Sequence, residues 1–424
     1  MLKEHSSTKG EETPSKMENG FIEWFVGISD AESNFLIRVR KDNKGNTIGF
    51  EFIFRIALHK DDKNAIELIK TTLGCGKISL DRNTLVFSIS KLDDIERVLI
   101  PIFEQFPLNS KKHLDYLDFK KAFFMFVNRK TSSLNKQDLF RDIVHIKDNM
   151  NDKRVNFDLP EGHIRITGNY LVGILEGDGS FYLNKQDMTV RVSLVVITQD
   201  RILLEKIREF LLNQLDKYSC ILGSSTKLIN INDKKRIGIN KPVTILEIYQ
   251  IDYIVNILIP YFNSLQFRTK KYQDYLDFRM IAYLVFEGKH LLDKGKELII
   301  KLGDTMNNNR LSTNPNRLVL DAEERSELDK LVKSEPLISV DSEGRAMIKS
   351  EKKYIRSTYI IKAIFLNGSV SYFTNGVSCA KALHVSNNTI TQRLNDGKPV
   401  KNKDGLTTAL TLKRIKAYSP KSFT

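Results

Sequence analysis

Two pairs of acidic residues recur at the ends of two similar apolar segments of this 424-residue chain. Asp30 and Glu32 end the first segment, and Glu176 and Asp178 end the second. If both segments are helices that pack together, four carboxylates meet where the two helix dipoles are also negative. Carboxylates this close repel one another, and a divalent cation such as Mg²⁺ relieves the repulsion. The pattern therefore predicts a metal site suited to hydrolysing phosphodiester bonds.

The elements that position these acids are duplicated. Residues 24–35 and 170–181 carry the same landmarks at an offset of 146, and residues 100–119 and 259–278 match at ten of twenty positions at an offset of 159. The second match includes two lysine pairs, Lys111 with Lys112 and Lys270 with Lys271. The same landmarks recurring in the same order predict a tandem repeat.

Each repeat predicts an α+β fold with the element order α-β-β-α-β-β-α. Gly27 and Gly173 lie within the two apolar helices, where a missing side chain lets helix backbones approach closely. The predicted strands alternate between apolar and polar residues, so one face of each sheet packs on helices. The polar face is expected to contact nucleic acid through six side chains: Arg38, Arg40, Arg55, His59, Arg191 and Ser193.

Composition and charge favour a DNA-binding protein. The chain has 66 Lys and Arg against 52 Asp and Glu, a net charge of +14, and 41% hydrophobic residues. Such an excess of cations is typical of proteins that bind nucleic acid. No apolar stretch reaches the roughly 18–20 residues of a membrane span, so we expect no membrane partner. The three cysteines are too far apart in sequence to predict a disulfide framework or a zinc site.

The segments FVGISDAES (25–33) and LVGILEGDG (171–179) resemble the two signature motifs of LAGLIDADG homing endonucleases. The resemblance covers roughly residues 20–311 and extends to the KKxxDYLDF segments, to LHKDDK (58–63) and to ITQDR (197–201). It implies two pseudo-symmetric halves that form a saddle of two sheets. It also implies a monomer that makes a double-strand break in a long asymmetric DNA target.

The resemblance also assigns roles to individual residues. Glu32 and Asp178 would be the metal-binding catalytic acids, helped by the backbone carbonyls of Ala31 and Gly177. Asp30 and Glu176 would be structural, at the helix interface with Gly27 and Gly173. One lysine of each pair, Lys111 or Lys112 and Lys270 or Lys271, would lie near a scissile phosphate. Gln199 would orient water, and the first repeat carries Leu58 at that place. The expected cofactor is Mg²⁺ or another divalent cation such as Mn²⁺.

Residues 372–397 predict a helix-turn-helix. Val377, Ala380, Ala382 and Leu383 would form the apolar face of its first helix, and Ser386 would cap the second helix. This pattern resembles the small modules appended to intron-encoded nucleases. The second helix would present five residues to a DNA major groove: Asn387, Asn388, Thr389, Gln392 and Arg393.

These signals divide the chain into six segments: a disordered leader (1–19), a first repeat (20–150), a linker (151–167), a second repeat (168–311), a flexible linker (312–352) and a helix-turn-helix-like module (353–424). The leader lacks the features of an import signal, so an organelle-encoded mitochondrial protein is expected, with a plastid protein as the alternative. Two other functions stay open on the sequence. One is an RNA maturase that assists splicing of its host intron, and the other is a catalytically inactive DNA-binding protein.

Overall fold

A computed structural model describes residues 18–131, 135–215, 228–235, 242–357, 359–373 and 375–416. The expected leader lies almost entirely outside these residues, as does Cys220. Within the described ranges, no helix is long and apolar enough to cross a membrane. The contacts group the chain into two compact units, one formed by residues 1–178 with 267–269 and the other by residues 179–266 with 270–424.

The first repeat has the predicted order of elements with additional helices. In chain order its elements are α1 (Asn19–Glu32), β1 (Ser33–Lys41), β2 (Thr47–His59), α2 (Lys63–Leu73), β3 (Lys77–Asp81), β4 (Thr84–Ile89), α3 (Leu92–Asp94), a π-helical turn (Ile95–Leu99), α4 (Ile100–Gln105), α5 (Lys112–Val127) and α6 (Lys136–Asp148). The additional α6 buries Leu139, Phe140 and Ile143 on one face. That spacing follows the helical period and could have been read from the sequence.

The second repeat follows the same order. Its elements are α7 (Gly168–Asp178), β5 (Gly179–Asn184), β6 (Thr189–Ile197), α8 (Arg201–Leu215), β7 (Ile229–Lys234), β8 (Val243–Ile248), α9 (Ile251–Tyr253), a π-helical turn (Ile254–Leu258), α10 (Ile259–Asn263), α11 (Lys271–Phe286) and α12 (Asp293–Asp304). The shared π-helical turn before an Ile-Pro helix shows that the duplication extends to backbone irregularities.

Each repeat contains one four-stranded antiparallel sheet. The strand orders are β1-β2-β4-β3 and β5-β6-β8-β7, so the long second strand is central in both sheets. In β2 the alternating residues Phe50 to Leu58 are buried, as the sequence predicts, and aromatic rings fill the space beneath them. The side chains between them face away from that core. The alternation therefore places the polar residues of β1 and β2 on one accessible surface.

Each repeat has an asparagine in left-handed backbone conformation after its last helix. Asn151 and Asn307 both have φ of 56°, and their side-chain amides donate to the carbonyls of Phe35 and Phe181, respectively. Asparagine tolerates this conformation better than most residues because its short polar side chain bonds locally. Three residues later, Arg154 and Arg310 each pair with two aspartates of α5 and α11. The duplication therefore extends to Arg310. In the first repeat, the same contacts hold Asn151 and Arg154, the first part of the expected 151–167 linker.

The helix pair α1–α7 packs backbone against backbone. A Cβ added to Gly27 would lie 2.2 Å from the carbonyl oxygen of Tyr170, and one added to Gly173 would lie 2.3 Å from the carbonyl oxygen of Trp24. Real Cβ atoms do not approach so closely, so only glycine fits at either position. Both helices belong to the first compact unit, although α7 opens the second repeat in sequence.

The C-terminal part differs from the expected flexible linker and helix pair. Segment 312–352 contains helix α13 (Ala322–Lys333) and strands β9 (Ile338–Val340) and β10 (Arg345–Ile348). Strand β10 pairs with both β9 and β11 (Lys353–Ser357). The expectation of a flexible linker is therefore corrected, because backbone pairing and a capped helix fix this segment.

The helix-turn-helix is part of a small α/β unit. Its helices are α14 (Gly376–Ala382) and α15 (Asn387–Asp396), and the strands around them are β12 (Tyr359–Ile364), β13 (Val370–Phe373), β14 (Val400–Lys401), β15 (Thr407–Ala409) and β16 (Thr411–Lys416). The predicted apolar face of α14 needs correction. Val377 and Ala382 are exposed, whereas Cys379, Ala380 and Leu383 pack in the core. The sheet on which α14 packs determines which face of the helix is covered.

We expect Gly27→Ala to lower the free energy of unfolding by about 3 kcal/mol or more, because the added methyl meets backbone atoms that cannot move independently. Gly173→Ala should have a similar effect. The matched control is Gly49→Ala in β2, where an added Cβ meets nothing within 4 Å. Urea unfolding of the three variants measures the differences, and equal stability of Gly27→Ala and Gly49→Ala would contradict the close packing.

Candidate active site

The two expected catalytic acids are the last residues of the packed helices. Glu32 ends α1 and is half-buried, and Asp178 ends α7 and is exposed. A Cβ added to Gly177 would lie 2.3 Å from the methyl group of Ala31 and 3.1 Å from Cγ of Glu32. The missing side chain at Gly177 therefore makes room for Ala31 and brings the Glu32 side chain against the end of α7.

The structural acids Asp30 and Glu176 brace the helix pair reciprocally. The hydroxyl of Tyr170 in α7 donates to Asp30 at 2.9 Å, and the indole nitrogen of Trp24 in α1 donates to Glu176 at 2.6 Å. Residues 24 and 170, like 30 and 176, are separated by the repeat offset of 146. Each helix therefore supplies one buried acceptor and one aromatic donor.

Backbone amides complete the coordination of both buried carboxylates. Asp30 accepts from the amides of Asn109 and Ser110 at 2.7 and 3.2 Å and from the Ser110 hydroxyl at 2.5 Å. Glu176 accepts from the amides of Arg268 and Thr269 at 2.8 and 2.7 Å and from the Thr269 hydroxyl at 2.8 Å. These donors lie just before the lysine pairs. The buried acids therefore fix where α5 and α11 begin.

Burial raises the pKa of the Asp30 and Glu176 carboxyls above their ordinary values, although the hydrogen bonds that they accept act in the opposite direction. A carboxyl whose pKa is higher in the folded chain contributes most to stability below its unfolded pKa. Its contribution is lost as the pH rises through the folded value. The donor sets around both acids limit the cost of ionising them inside the protein.

The structure distinguishes between the two lysines of the first pair. The Lys112 ammonium donates to the carbonyls of Ser29 and Ala31, at 3.1 Å each, and therefore lies at the end of α1. The Lys111 ammonium instead donates to the carbonyl of Phe157. In the second pair, Lys271 donates to the carbonyl of Gly179, the residue that follows α7. Lys112 and its counterpart Lys271 are thus the lysines at the helix ends.

The donor set at the helix ends fits a divalent cation that shares its ligands with a substrate. Among the described residues, no group of three or more His, Cys, Asp or Glu side chains is arranged to hold a metal ion. Mg²⁺, however, is commonly held by one or two carboxylates together with substrate phosphate oxygens and water. Glu32 and Asp178 supply such carboxylates. The carbonyl of Ala31 already accepts from Lys112, so a cation would share that oxygen with an ammonium group.

The counterpart of Gln199 in the first repeat is Asp61 rather than Leu58. Strands β2 and β6 end at His59 and Ile197, and each is followed by one 3-10 turn, Lys60–Asp62 or Thr198–Asp200. Gln199 and Asp61 occupy the middle of these turns. The expectation at Leu58 was wrong because Leu58 is an inward-facing strand residue, buried in the core.

The polar face of the first sheet carries a transverse row of four residues, of which only Arg55 is among the predicted contact residues. The strand register places Asn34, Arg55, Ser88 and Lys77 side by side across the sheet. Arg40 is also exposed, and Arg38 pairs with Glu51 at 2.8 Å. His59 accepts from the amide of Asp61. Alternation in β3 and β4 was the sequence signal that could have revealed Lys77 and Ser88.

The corresponding row of the second sheet is less basic. It consists of Ser180, Ser193, Glu247 and Asn230. Ser193 is only 7% exposed, which makes it a poorer candidate for contact than the sequence suggested. Arg191 lies beside Asp187 at 3.0 Å and stacks on Tyr249. The two sheets therefore present different chemistry from equivalent strands.

In the helix-turn-helix unit, the second helix begins where predicted. The Ser386 hydroxyl accepts from the amide of Thr389 at 3.1 Å, and His384 in the turn has φ of 54°. Of the five predicted contact residues, Asn387, Asn388 and Gln392 are exposed, and Thr389 is half-buried beside its cap. The Arg393 guanidinium pairs with Asp396. Asn388 and Gln392 are exposed and lie four residues apart on α15, so both can face one groove.

We expect Asp30→Asn and Glu176→Gln each to lower the free energy of unfolding by about 2–4 kcal/mol. Both oxygens of Asp30 accept backbone amides, so either orientation of an asparagine amide would place a donor against a donor. Asp329→Asn, at an exposed position of α13, is the control. Thermal unfolding would contradict the role of Asp30 if Asp30→Asn and Asp329→Asn had the same melting temperature.

Comparisons with known proteins agree with this geometry. The family model described as LAGLIDADG endonuclease matches residues 25–123 and 171–282, which together make up about half of the chain. A probable intron-encoded endonuclease, Cox1-I1b of Schizosaccharomyces pombe, is 30% identical over 206 residues, or 47% of this chain and 51% of the relative. Probable intron-encoded endonuclease 2 of Neurospora crassa is 24% identical over 67% of this chain and 64% of its own length. The chain thus matches about half to two thirds of the length of these relatives.

Solved structures share the fold. I-LtrWI, a LAGLIDADG homing endonuclease bound to target DNA, matches 69% of this chain and 99% of its own chain with a TM-score of 0.56 and 25% identity. I-SmaMI bound to uncleaved DNA with calcium ions matches 67% of this chain and 98% of its own with a TM-score of 0.54 and 22% identity. The duplicated match, the glycine-packed helix pair and the shared fold show that this chain belongs to the LAGLIDADG endonuclease family.

Proposed function

We propose that this protein is a site-specific homing endonuclease that makes a double-strand break in DNA by metal-dependent phosphodiester hydrolysis. The observation that carries the proposal is the placement of one acid, Glu32 or Asp178, at the end of each glycine-packed helix. Two equivalent acids suit the two strands of a duplex. The DNA-bound relatives I-LtrWI and I-SmaMI support DNA as the substrate.

At each DNA strand, the acidic and the basic side chains have different proposed roles. Glu32 and Asp178 would hold Mg²⁺ or Mn²⁺, helped by the carbonyls of Ala31 and Gly177. A divalent cation bound there supplies Lewis-acid stabilisation of phosphate charge and a lower pKa for water. Lys112 and Lys271 place positive charge beside the helix ends, where it offsets the charge that develops on a phosphate.

Gln199 and its counterpart Asp61 are the proposed residues that orient water. Both lie in a short turn at the end of a central strand. Gln199 is exposed, so its amide can both accept and donate a hydrogen bond. Asp61 can only accept when ionised. The two strands of the target would therefore meet different polar groups.

We propose that the target is long and asymmetric. The row Asn34, Arg55, Ser88 and Lys77 of the first sheet suits phosphates and guanine edges, which Arg and Lys read in the major groove. The serine, glutamate and asparagine row of the second sheet cannot make the same contacts. Because one chain contains both sheets, no partner subunit is needed, and the protein would act as a monomer. Sedimentation of the DNA complex would test this oligomeric state.

The names of the relatives support a proposal for where the protein acts. Two of them are named as intron-encoded endonucleases, and another, from Saccharomyces cerevisiae, is named as an uncharacterized mitochondrial protein. We therefore propose a mitochondrial location and an intron-encoded origin, and imaging of a tagged protein would test the location.

Host intron RNA is a second partner that the sequence alone leaves open. RNA binding without DNA cleavage would favour the maturase function.

We propose that residues 353–424 bind DNA beside the cleavage site and do no chemistry. Residues 335–424 carry 15 Lys and Arg against 6 Asp and Glu. Helix α15 has an exposed polar surface and a capped first turn. These features suit a recognition helix in a major groove.

We expect Asp178→Asn to slow cleavage of one DNA strand by at least about 10²-fold while leaving binding intact, because a neutral amide is a poor metal ligand. Glu32→Gln should do the same to the other strand. A supercoiled plasmid that carries a site isolated by cleavage of a randomised DNA library would then be nicked rather than cut through.

The control for these variants is Glu67→Gln, an exposed acid on α2. Gel mobility shifts report binding separately from cleavage. Undiminished double-strand cutting by the double variant Glu32→Gln, Asp178→Asn would refute the proposed roles.

We expect the double variant Asn388→Ala, Gln392→Ala to bind the extended target about tenfold more weakly, because one bidentate base contact is worth about 1–3 kcal/mol. The position of the cut should not change, and the salt dependence of binding should stay the same because no cation is removed. Nuclease footprinting and mobility shifts measure these effects. An unchanged footprint and affinity would show that α15 does not contact DNA.

A further inference from the structure

A fully buried lysine connects the second repeat to the C-terminal part of the chain. Lys289, just after α11, has no exposed surface, although lysine is rarely buried without partners. Its ammonium donates to the Ser334 carbonyl, to the Ser334 hydroxyl at 2.5 Å and to the Glu335 carbonyl at 2.8 Å. These three acceptors match the three N–H groups of an ammonium. The carboxylate of Glu287 lies 3.9 Å away.

Backbone contacts strengthen this connection. The carbonyl of Glu287 accepts from the amides of Leu337 and Ile338 at 2.9 and 3.0 Å. Gly288 has φ of 83°, and a Cβ added there would lie 2.8 Å from Cδ1 of Ile338. We call residues 287–289 together with 334–338 the clasp. A clasp of five hydrogen bonds around a buried cation does not behave as a flexible tether.

The clasp continues into the helix-turn-helix unit. The Leu337 carbonyl accepts from the amide of Lys349 at 2.9 Å, which joins the clasp to the sheet of β9, β10 and β11. In the turn between β9 and β10, Glu343 lies 3.8 Å from Arg414 of β16. The Arg414 guanidinium also donates to Asn395 at 2.8 Å, at the end of α15.

We propose that the clasp holds the helix-turn-helix unit in one fixed position on the second repeat. Helix α15 would then contact DNA at a fixed distance and helical phase from the half-site that the second repeat binds. The inference rests on the proposed DNA binding by this unit. It differs from a flexible tether, which would only raise the local concentration of a second binding module.

The two arrangements respond differently to inserted DNA. Five extra base pairs move the flanking contact by about 17 Å and turn it by about half a helical turn. A flexible chain of the length of segment 312–352 spans about 35 Å on average, so it would tolerate this change. A unit held by the clasp would lose its DNA contact. Ten extra base pairs restore the helical phase but add about 34 Å, a distance that a unit held by the clasp also cannot span.

The test uses the full chain and a target isolated from a randomised DNA library, with 0, 5 or 10 base pairs inserted between the cleavage site and the flanking footprint. We expect either insertion to remove the flanking protection by the wild-type protein. The affinity of the wild type for the DNA should fall about tenfold, to the affinity of the double variant Asn388→Ala, Gln392→Ala for the uninterrupted site. Wild-type protein that protects the flank equally on all three sites would overturn the clasp proposal. Equal affinity of the wild type and that double variant on the uninterrupted site would instead overturn DNA binding by the unit.

A variant tests the clasp itself. Lys289→Met keeps most of the unbranched side chain and removes the three donors. Lys294→Met removes an exposed lysine that pairs with Glu327. We expect hydrogen exchange at the amides of Leu337 and Ile338 to accelerate about tenfold or more in Lys289→Met and not in Lys294→Met. Lys289→Met should also regain flanking protection on the inserted sites. Unchanged exchange in a folded Lys289→Met variant would refute the anchoring role of Lys289.

Discussion

The backbone contact between α1 and α7 is the constraint on which the rest of the site depends. Gly27 and Gly173 each lie where a single methyl group would collide with a carbonyl of the other helix. This contact fixes both the distance and the rotation of the helices. Because the next residues along each helix carry the acids, the same contact decides where four carboxylates lie.

The four acids then separate into two environments. Asp30 and Glu176 turn inward, where the aromatic donors Tyr170 and Trp24 and pairs of backbone amides surround them. Glu32 and Asp178, two residues later, remain accessible at the helix ends. Two positions along a helix correspond to a rotation of about 200°, so a spacing of two places one acid inside and the other outside. The inner pair holds the scaffold, and the outer pair carries the proposed chemistry.

The two repeats share this frame but present different surfaces. Equivalent strand positions carry Arg55 in one sheet and Ser193 in the other, and equivalent turns carry Asp61 and Gln199. Core positions and closing contacts, such as the Asn151 and Asn307 amide bonds, stayed alike. Different residues at equivalent surface positions of the duplicated fold give one chain two unequal halves.

The sequence by itself determined the duplication, the α+β class, the helix pair and the candidate acids. Each of these depends on local periodicity or on spacing that recurs within the chain. It also located the cap at Ser386, because capping is a local interaction. The sequence could not decide which lysine of each pair lies at a helix end, since Lys111 and Lys112 differ by only one position. Their different directions follow from how Asp30 anchors the start of α5.

Only the tertiary structure decided the other features. The row that joins Arg55 to Lys77 depends on strand register, and the counterpart of Gln199 depends on where each strand ends. The clasp joins Lys289 to residues 45 positions away, and nothing in the surrounding sequence marks that lysine as buried. Contacts between residues distant in sequence leave no periodic signal, because either partner alone looks like an ordinary surface residue. These residues acquire their roles only when the folded chain brings them into contact.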